Sequence, residues 1–163
     1  MEVKIGPRGI LQIDGARITF RNFAGKPGTY NREGDRSFAW VIPDRELADK
    51  LVADGWNVKV KPPRNEGDDE FIYMNVKVRF NDRGPKVYLT SGNNMRTLSE
   101  ETVGLLDNVD IVNVDMDIRP YDWENAMGQS GRSAYLQSIH VTQDLDRFAE
   151  RFAEEEYPEE TPW

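Results

Sequence analysis

Cations interspersed with aromatic rings are the residues of this chain best suited to chemistry, and they are first concentrated between Arg17 and Trp40. Ile18 and Phe20 alternate with polar side chains, which predicts a strand whose apolar residues face inward. A second strand is predicted over residues 38–42. The glycine-rich segment between the strands predicts a long, flexible loop. Cations can pair with phosphates and rings can stack on bases, so this segment suits contact with a single nucleic-acid strand. An ordinary polar hairpin loop is the alternative.

The cleanest alternation in the sequence lies between Phe71 and Phe80. Its apolar members predict an inner, core-facing side made of Ile72, Met74, Val76, Val78 and Phe80. Its other side carries Phe71, Tyr73, Asn75, Lys77 and Arg79, and a following strand at residues 86–90 adds Lys86 and Tyr88. Two large rings in line with cations are unusual on a solvent face, so they indicate a binding surface. The alternative is that a second layer, such as a helix, covers the rings.

Taken together, these patterns predict a sequence-neutral surface for single-stranded nucleic acid, because every base has a face on which a ring can stack. The residues predicted to contact DNA are Arg21, Lys26, Tyr30, Arg32, Arg36, Lys59, Lys61, Phe71, Tyr73, Lys77, Arg79, Lys86, Tyr88 and Trp123. If the rings instead dock a partner protein, the chain would be an adaptor.

Catalysis has little support in the sequence. Cysteine is absent and His140 is the one histidine, so no familiar nucleophile and base pair is visible. Asp115 and Asp117 share one face of a predicted strand, which leaves a metal-dependent nuclease as the enzymatic alternative. A solvated polar face explains the same two residues without a metal. We expect a non-enzymatic protein without a metal or cofactor.

The charge of the chain is unevenly distributed. The net charge is −8, but residues 144–163 carry −6 of it and the first 143 residues only −2. This asymmetry indicates an acidic tail attached to a nearly balanced body. The sequence shows neither a signal peptide nor an apolar run of membrane-spanning length, so we expect a soluble, cytoplasmic protein.

Between these segments, the sequence predicts a helix over residues 43–54 with Leu47, Leu51 and Val52 buried, and a strand over residues 56–61. A polar loop at 91–97 precedes a short helix capped by Thr97. A strand at 109–119, with Val112 facing inward, a wide loop at 120–131 and a strand at 133–142 follow.

The predicted fold is mostly β, since short strands with wide glycine-rich loops outnumber helices. An OB-fold-like five-stranded barrel with an inserted helix and a C-terminal helix fits this pattern. The predicted organisation is an OB-fold-like DNA-binding domain at 1–143, an amphipathic helix at 144–153 and a disordered acidic tail at 154–163.

The last ten residues, EEEYPEETPW, place a large aromatic residue beside the terminal carboxylate of an acidic arm. This ending resembles the acidic C-terminal tip of bacterial and phage single-stranded-DNA-binding proteins. From about Arg17 onward, the chain also resembles a family of phage-encoded single-stranded-DNA-binding proteins, through RITFRNFAGKPGTYNREGDRSFAW, ELADKLVADGWNVK and IRPYDW.

The resemblance implies an OB-fold that coats exposed single strands during DNA replication and recombination in the bacterial host cell. It also implies that the tip recruits replication or recombination proteins. The tip residues that would bind these partners are Glu154, Glu155, Glu156, Glu159, Glu160 and Trp163. A homo-oligomer is compatible with the amphipathic C-terminal helix, which could dock on a second subunit. A tail that serves solubility alone is the alternative.

Overall fold

The computed structural model describes residues 1–144, so the predicted helix at 144–153 and the acidic tail lie outside the described residues. The strands are β1 (Glu2–Ile5), β2 (Leu11–Asp14), β3 (Arg17–Asn22), β4 (Arg36–Val41), β5 (Lys59–Lys61), β6 (Phe71–Val78), β7 (Lys86–Ser91), β8 (Asn94–Leu98), β9 (Ile111–Glu124) and β10 (Ser130–Gln143). One α-helix, α1 (Arg45–Asp54), and two short 3₁₀ helices at Pro7–Gly9 and Val103–Asp107 accompany them. The fold is mostly β, as predicted.

All ten strands belong to one sheet, whose main order is β1-β2-β9-β10-β6-β4-β3. β5 adds to β6, β7 adds to β10, and β8 adds to β7. β10 is antiparallel to β9 but parallel to β6 and β7. Within residues 1–144 no pairing joins the two ends of this order, so the sheet is open. The sequence predicted a barrel of about five main strands. The structure has ten strands in its sheet, and one of them, β8, lies in a segment that was predicted as a loop.

The alternation in β6 is confirmed residue by residue. Ile72, Met74, Val76 and Val78 are buried in the core, while Asn75 and Lys77 are exposed. The inner face packs against Phe38 and Trp40 of β4 and against apolar residues of β9 and β10. A strand alternates its side chains between two faces, so burying one face fixes the direction of the other.

The predicted helix is confirmed, and its two ends have clear physical causes. The Asp44 carboxylate caps the N-terminus by accepting a hydrogen bond from Leu47 N at 2.8 Å. Gly55 ends the helix with a φ of 109°, which a residue with a side chain rarely adopts. Leu51 is buried as predicted, but Val52 is exposed, so its predicted burial was wrong. Val52 lies about 100° around the helix from Leu51 and therefore points away from the core.

Two bulges overturn the predicted direction of two side chains. Phe20 was predicted to face inward, but it is 61% exposed and has a φ of 49°. The β3–β4 register is irregular between Thr19 and Asn22, so the simple alternation fails there. Val112 was also predicted inward and is exposed, at a second irregularity between β9 and β10. Each bulge adds a residue that the period-2 pattern does not count.

Three connections differ from the sequence predictions. Residues 91–97 were predicted as a polar loop, but β7 and β8 form a hairpin there, so Thr97 lies in a strand and caps no helix. The predicted wide loop at 120–131 is largely strand, because β9 and β10 continue as a paired arm to Glu124 and Ser130. Of the predicted strand at 56–61, three residues pair, as β5. Polar side chains do not prevent pairing when neighbouring strands supply backbone partners.

The β3–β4 loop, residues 23–35, is tied to the rest of the fold by Asp107. The Asp107 carboxylate accepts hydrogen bonds from Phe23 N at 2.7 Å and Ala24 N at 3.0 Å. The buried Phe23 ring stacks on Phe38, with 5.2 Å between centroids. The start of the loop is therefore held at the 3₁₀ helix that ends with Asp107.

In residues 1–144, no helix combines the length and the apolar character that a membrane crossing requires.

We expect Asp107→Ala to lower the free energy of unfolding by about 2 kcal/mol, because two partly buried N–H groups lose a charged acceptor. Urea denaturation measures the loss. Asp110→Ala is the control, since Asp110 is exposed and its side chain accepts none of the hydrogen bonds found in the described residues; it should change the value by less than about 0.5 kcal/mol. Equal losses in both variants would show that Asp107 does not anchor the loop.

Candidate nucleic-acid interface

The outer face of β6 presents two stacked rings. The centroids of Phe71 and Tyr73 are 5.2 Å apart and the ring planes are inclined by 26°. Both residues are of intermediate burial, so they are not sealed beneath a second layer. Within residues 1–144, no helix seals these two rings from solvent.

Phe20 and Lys61 complete this group, which we call the ring cluster: Phe20, Phe71 and Tyr73, with Lys61 above them. Phe20 contacts the other two rings edge-on, at centroid distances of 6.0 and 6.4 Å. Lys61 Nζ lies 5.4 Å from the Phe20 ring and 5.7 Å from the Tyr73 ring. Phe20 is absent from the sequence-based set, because its outward direction depends on the bulge in β3.

A second group lies on the same face, where β10 meets β6 and β9. The Tyr135 ring has Lys77 Nζ at 5.8 Å and Arg119 Cζ at 5.1 Å, and the Tyr121 ring meets it edge-on at 6.1 Å. Tyr135 pairs with Lys77 of β6 and with Arg119 of β9. We call these four residues the Tyr135 cluster. The alternation of apolar and polar residues would place Tyr135 outward. The sequence does not give the strand register of β10, which pairs Tyr135 with Lys77 of β6 and Arg119 of β9.

Three grooves border the Tyr135 cluster, and neighbouring grooves share lining residues. The arm groove, about 500 Å³, lies between the β9–β10 arm and β6. The loop groove, about 500 Å³, lies beside the β3–β4 loop. The turn groove, about 850 Å³, lies beside the β6–β7 turn. Lys77 lines both the arm and loop grooves, and Arg79 lines both the loop and turn grooves. The three grooves are therefore neighbours on the surface, with the loop groove between the other two.

The turn groove is the most cationic of the three. It is lined by five cations, Arg8, Arg79, Arg83, Lys86 and Arg119, against one carboxylate, Asp82. A concave surface lined by one sign of charge concentrates the field and attracts a polyanion. Arg79 and Lys86 belong to the sequence-based set. Arg8, Arg83 and Arg119 do not, because they come from separate turns and strands that only the fold brings together.

Arg36 lies at the wall of the loop groove with part of its hydrogen-bonding capacity unused. Its guanidinium stacks over the Phe80 ring at 5.6 Å and pairs with the Glu100 carboxylate at 3.3 Å. Arg36 Nε is buried and has no hydrogen-bond partner within residues 1–144. Glu100 therefore forms an ion pair with a guanidinium that could also bind a phosphate.

Arg132 holds the arm against the end of α1. Its Nε donates to Asp122 Oδ1 at 2.7 Å, its NH1 donates to Asp54 O at 2.8 Å, and its guanidinium lies 5.0 Å from the Trp56 ring. The hydrogen bond from Arg132 lowers the pKa of Asp122, and the same bond raises the pKa of Arg132 above its ordinary value. Both groups stay charged at neutral pH, so Arg132 and Asp122 form an ion pair within the arm. The same guanidinium lies 3.7 Å from the Asp54 carboxylate at the end of α1.

Six of the fourteen residues of the sequence-based set line the three grooves, and three more belong to the ring cluster, of which no residue lines a groove. The ring cluster contains Phe71, Tyr73 and Lys61, while Lys59, Lys77, Trp123, Arg36, Arg79 and Lys86 line the grooves.

Five residues of the set lie elsewhere or serve another contact. Arg21 NH1 donates to the carbonyls of residues 106 and 109, both at 2.8 Å, which ties β3 to the second 3₁₀ helix. Lys26, Tyr30 and Arg32 are exposed on the loop that borders the loop groove. Tyr88 lies on β7 beside its register partner His140.

The two aspartates of the nuclease alternative are engaged in structural hydrogen bonds. Asp115 Oδ1 accepts from Gly15 N at 2.9 Å and from Asn113 Nδ2 at 3.1 Å. Asp117 Oδ2 accepts from Ser138 Oγ at 3.3 Å. In the part of the chain that the structure describes, no three His, Cys, Asp or Glu side chains are grouped to hold a metal ion.

Rings and cations beside neighbouring grooves of a mostly β fold are the features that binding of single-stranded nucleic acid requires. Residues 2–161 match the family described as "Putative phage ssDNA-binding domain", and the chain belongs to this family. It is a single-stranded-DNA-binding protein of the phage type, as its resemblance implied.

Solved structures share its fold. The single-stranded DNA-binding protein from bacteriophage Enc34 in complex with ssDNA is 16% identical, with a TM-score of 0.54 over 90% of this chain and 93% of that one. A second structure of the single-stranded DNA-binding protein from bacteriophage Enc34 has a TM-score of 0.55, over 90% of this chain and 87% of that one, again at 16% identity. A C-terminal truncation of it is 14% identical, with a TM-score of 0.54 over 87% and 90% of the two chains. No curated protein has significant sequence similarity to this chain.

We expect Glu100→Gln to tighten binding to oligothymidylate about two- to fivefold at low salt, because an exposed carboxylate no longer competes with phosphate for Arg36. Fluorescence anisotropy measures the affinity.

Glu101→Gln is the matched control for this change. It removes the same charge one residue away. The pKa of Glu101 is lowered mainly by hydrogen bonds from its own backbone and from Ser99, and the charge of Arg36 is the smallest of the causes. Equal tightening in both variants would mean that overall charge, not the contact with Arg36, sets the effect.

Proposed function

We propose that one DNA strand follows the path formed by the arm, loop and turn grooves, and that the protein thereby coats single strands without regard to sequence. The observation that carries this proposal is that neighbouring grooves share a cationic lining residue, Lys77 for the arm and loop grooves and Arg79 for the loop and turn grooves. In the host cytoplasm, such a coat would protect exposed strands during replication and recombination of phage DNA.

The two clusters would bind the bases. Stacking of a base on an aromatic ring contributes about 1–3 kcal/mol and tolerates every base. Phe20 and Tyr135 are the rings best placed for this, since Phe20 is largely exposed and Tyr135 lines the loop groove. The cations around both rings would hold the phosphates on either side of a stacked base.

The same geometry favours single strands over duplex DNA. A ring at the floor of a groove stacks only on a base whose face is free, and the bases of a duplex are already stacked on one another. The cations of the turn groove would attract both forms, so we assign the preference for single strands to the rings and the salt dependence to the cations.

We propose that the open sheet is an elaborated OB-type fold, in which β6, β4, β3, β9 and β10 correspond to the five predicted main strands. The likeness to the Enc34 structures supports a shared fold, and β10 pairs with β9 along most of its length.

We expect Tyr135→Ala to weaken binding to poly(dT) by about 5- to 150-fold, which corresponds to the loss of one stacking contact of 1–3 kcal/mol. Titration of intrinsic fluorescence measures the affinity. Met95→Ala on β8 is the control, because Met95 is exposed and lies in none of the three grooves, and it should bind as the unchanged protein does.

The salt dependence separates ring contacts from phosphate contacts in the same titration. Arg79→Gln should lower the slope of log affinity against log salt by about 0.7, the value for one phosphate contact on a single strand, while Tyr135→Ala leaves the slope unchanged. Lys50→Gln on α1, where Lys50 pairs with Glu46, should alter neither. Tight binding of duplex by the unchanged protein, or an unaltered slope in Arg79→Gln, would overturn the proposed path.

We also propose that the acidic tail has two roles, self-competition and partner recruitment. Its five glutamates, Glu154, Glu155, Glu156, Glu159 and Glu160, supply a tethered polyanion. A short tether gives it an effective concentration near millimolar at the cationic grooves, where it competes with DNA. Trp163 beside the terminal carboxylate offers replication or recombination proteins an apolar anchor.

Removal of residues 154–163 should tighten binding to oligothymidylate, most clearly at low salt, because the internal competitor is lost. Anisotropy at two salt concentrations tests this. A full-length variant with the five glutamates changed to glutamine separates charge from length, and it should bind as tightly as the truncated chain. Unchanged affinity in both variants would leave solubility as the role of the tail.

A further inference from the structure

The arm groove is a split in the sheet that opens where β10 leaves β6. Within the described residues, β10 and β6 pair at Tyr135 and Lys77, and the part of β10 before this point pairs with β9. The arm is held across the gap by Arg132, which bonds to the carbonyl of Asp54 at the end of α1. The split therefore ends at the pairing of Tyr135 with Lys77, and the bond from Arg132 to Asp54 O holds the arm in position beside it.

One wall of the split is the Trp123 ring. Trp123 pairs across the arm with Gly131, and a Cβ on Gly131 would lie 2.7 Å from Trp123 Cζ2. The indole therefore lies directly on the Gly131 backbone, which fixes the ring in place. It remains 40% exposed and lines the groove.

The groove is also lined by two carboxamides, Asn57 and Asn75, and by two cations, Lys59 and Lys77, none of which belongs to the arm. Both asparagines are exposed, and in residues 1–144 neither side chain makes a hydrogen bond. A carboxamide presents a donor and an acceptor side by side, which matches the hydrogen-bonding edge of a nucleobase. The ring cluster and the Tyr135 cluster contain no such group, so stacking there would ignore base identity.

We propose that the arm groove is a base-reading subsite that takes one unstacked nucleotide, with its base on Trp123 and its Watson–Crick edge hydrogen-bonded to Asn57 and Asn75. The proposal rests on the proposed function, because the strand must pass Lys77 to deliver a nucleotide to the split. It adds a contact that depends on the hydrogen-bonding edge of the base to a surface that otherwise senses rings and phosphates.

The test compares oligothymidylate with the same oligomer built from N3-methylthymidine, which keeps the stacking faces and phosphates but blocks the N3–H donor. The unchanged protein should bind the methylated strand about 2- to 10-fold more weakly, the effect of one net hydrogen bond. The double variant Asn57→Ala/Asn75→Ala should bind both strands with equal affinity. Asn94→Ala on β8, an exposed asparagine outside the three grooves, should keep the difference.

Trp123→Ala separates stacking from edge recognition. It should weaken binding of both strands by about 5- to 150-fold, because a stacking platform is lost whichever base edge is present. Equal affinity of the unchanged protein for the two strands, or an equal loss for both strands in the asparagine variant, would overturn the subsite and leave the proposed path intact. Failure of the unchanged protein to bind either strand would instead overturn the proposed function.

Discussion

The pairing of β10 with its neighbours is the constraint on which the site depends. Its inward residues, including Leu136 and Ile139, are buried in the core, so the strand cannot rotate without exposing them. The same pairing holds Tyr135 outward, between Lys77 of β6 and Arg119 of β9. Burial of apolar surface on one face thus provides the rigidity with which rings and cations are positioned on the other.

The protein shows that local charge and net charge are separate properties. The chain as a whole is strongly acidic, yet the turn groove is lined by five cations and one carboxylate. A polyanion that enters a concave groove responds to the charges within about a Debye length, not to those on a distant surface. Cations in the grooves and acids concentrated in the tail are therefore compatible with one function.

The sequence predicted well wherever a side chain's direction depends on its immediate neighbours. The alternation in β6, the helix predicted over residues 43–54 and the outward direction of Phe71 and Tyr73 follow from local periodicity and are present in the structure. Predictions failed at Phe20 and Val112, because a bulge changes the strand period through its pairing partner. The hairpin formed by β7 and β8 was missed for a related reason, since its polar residues are held by pairing and not by burial.

The amino-acid sequence by itself determined the class of the protein, through alternating rings and cations, an uneven charge distribution and the family resemblance of its segments. Tertiary structure alone decided which of those residues share a surface. Arg8 and Arg119 lie more than a hundred positions apart in the chain and line one groove, and Tyr135 acquires its cations through strand register. Periodicity is encoded in neighbouring residues, whereas register and long-range contact are set by the packing of the whole core, which no short segment contains.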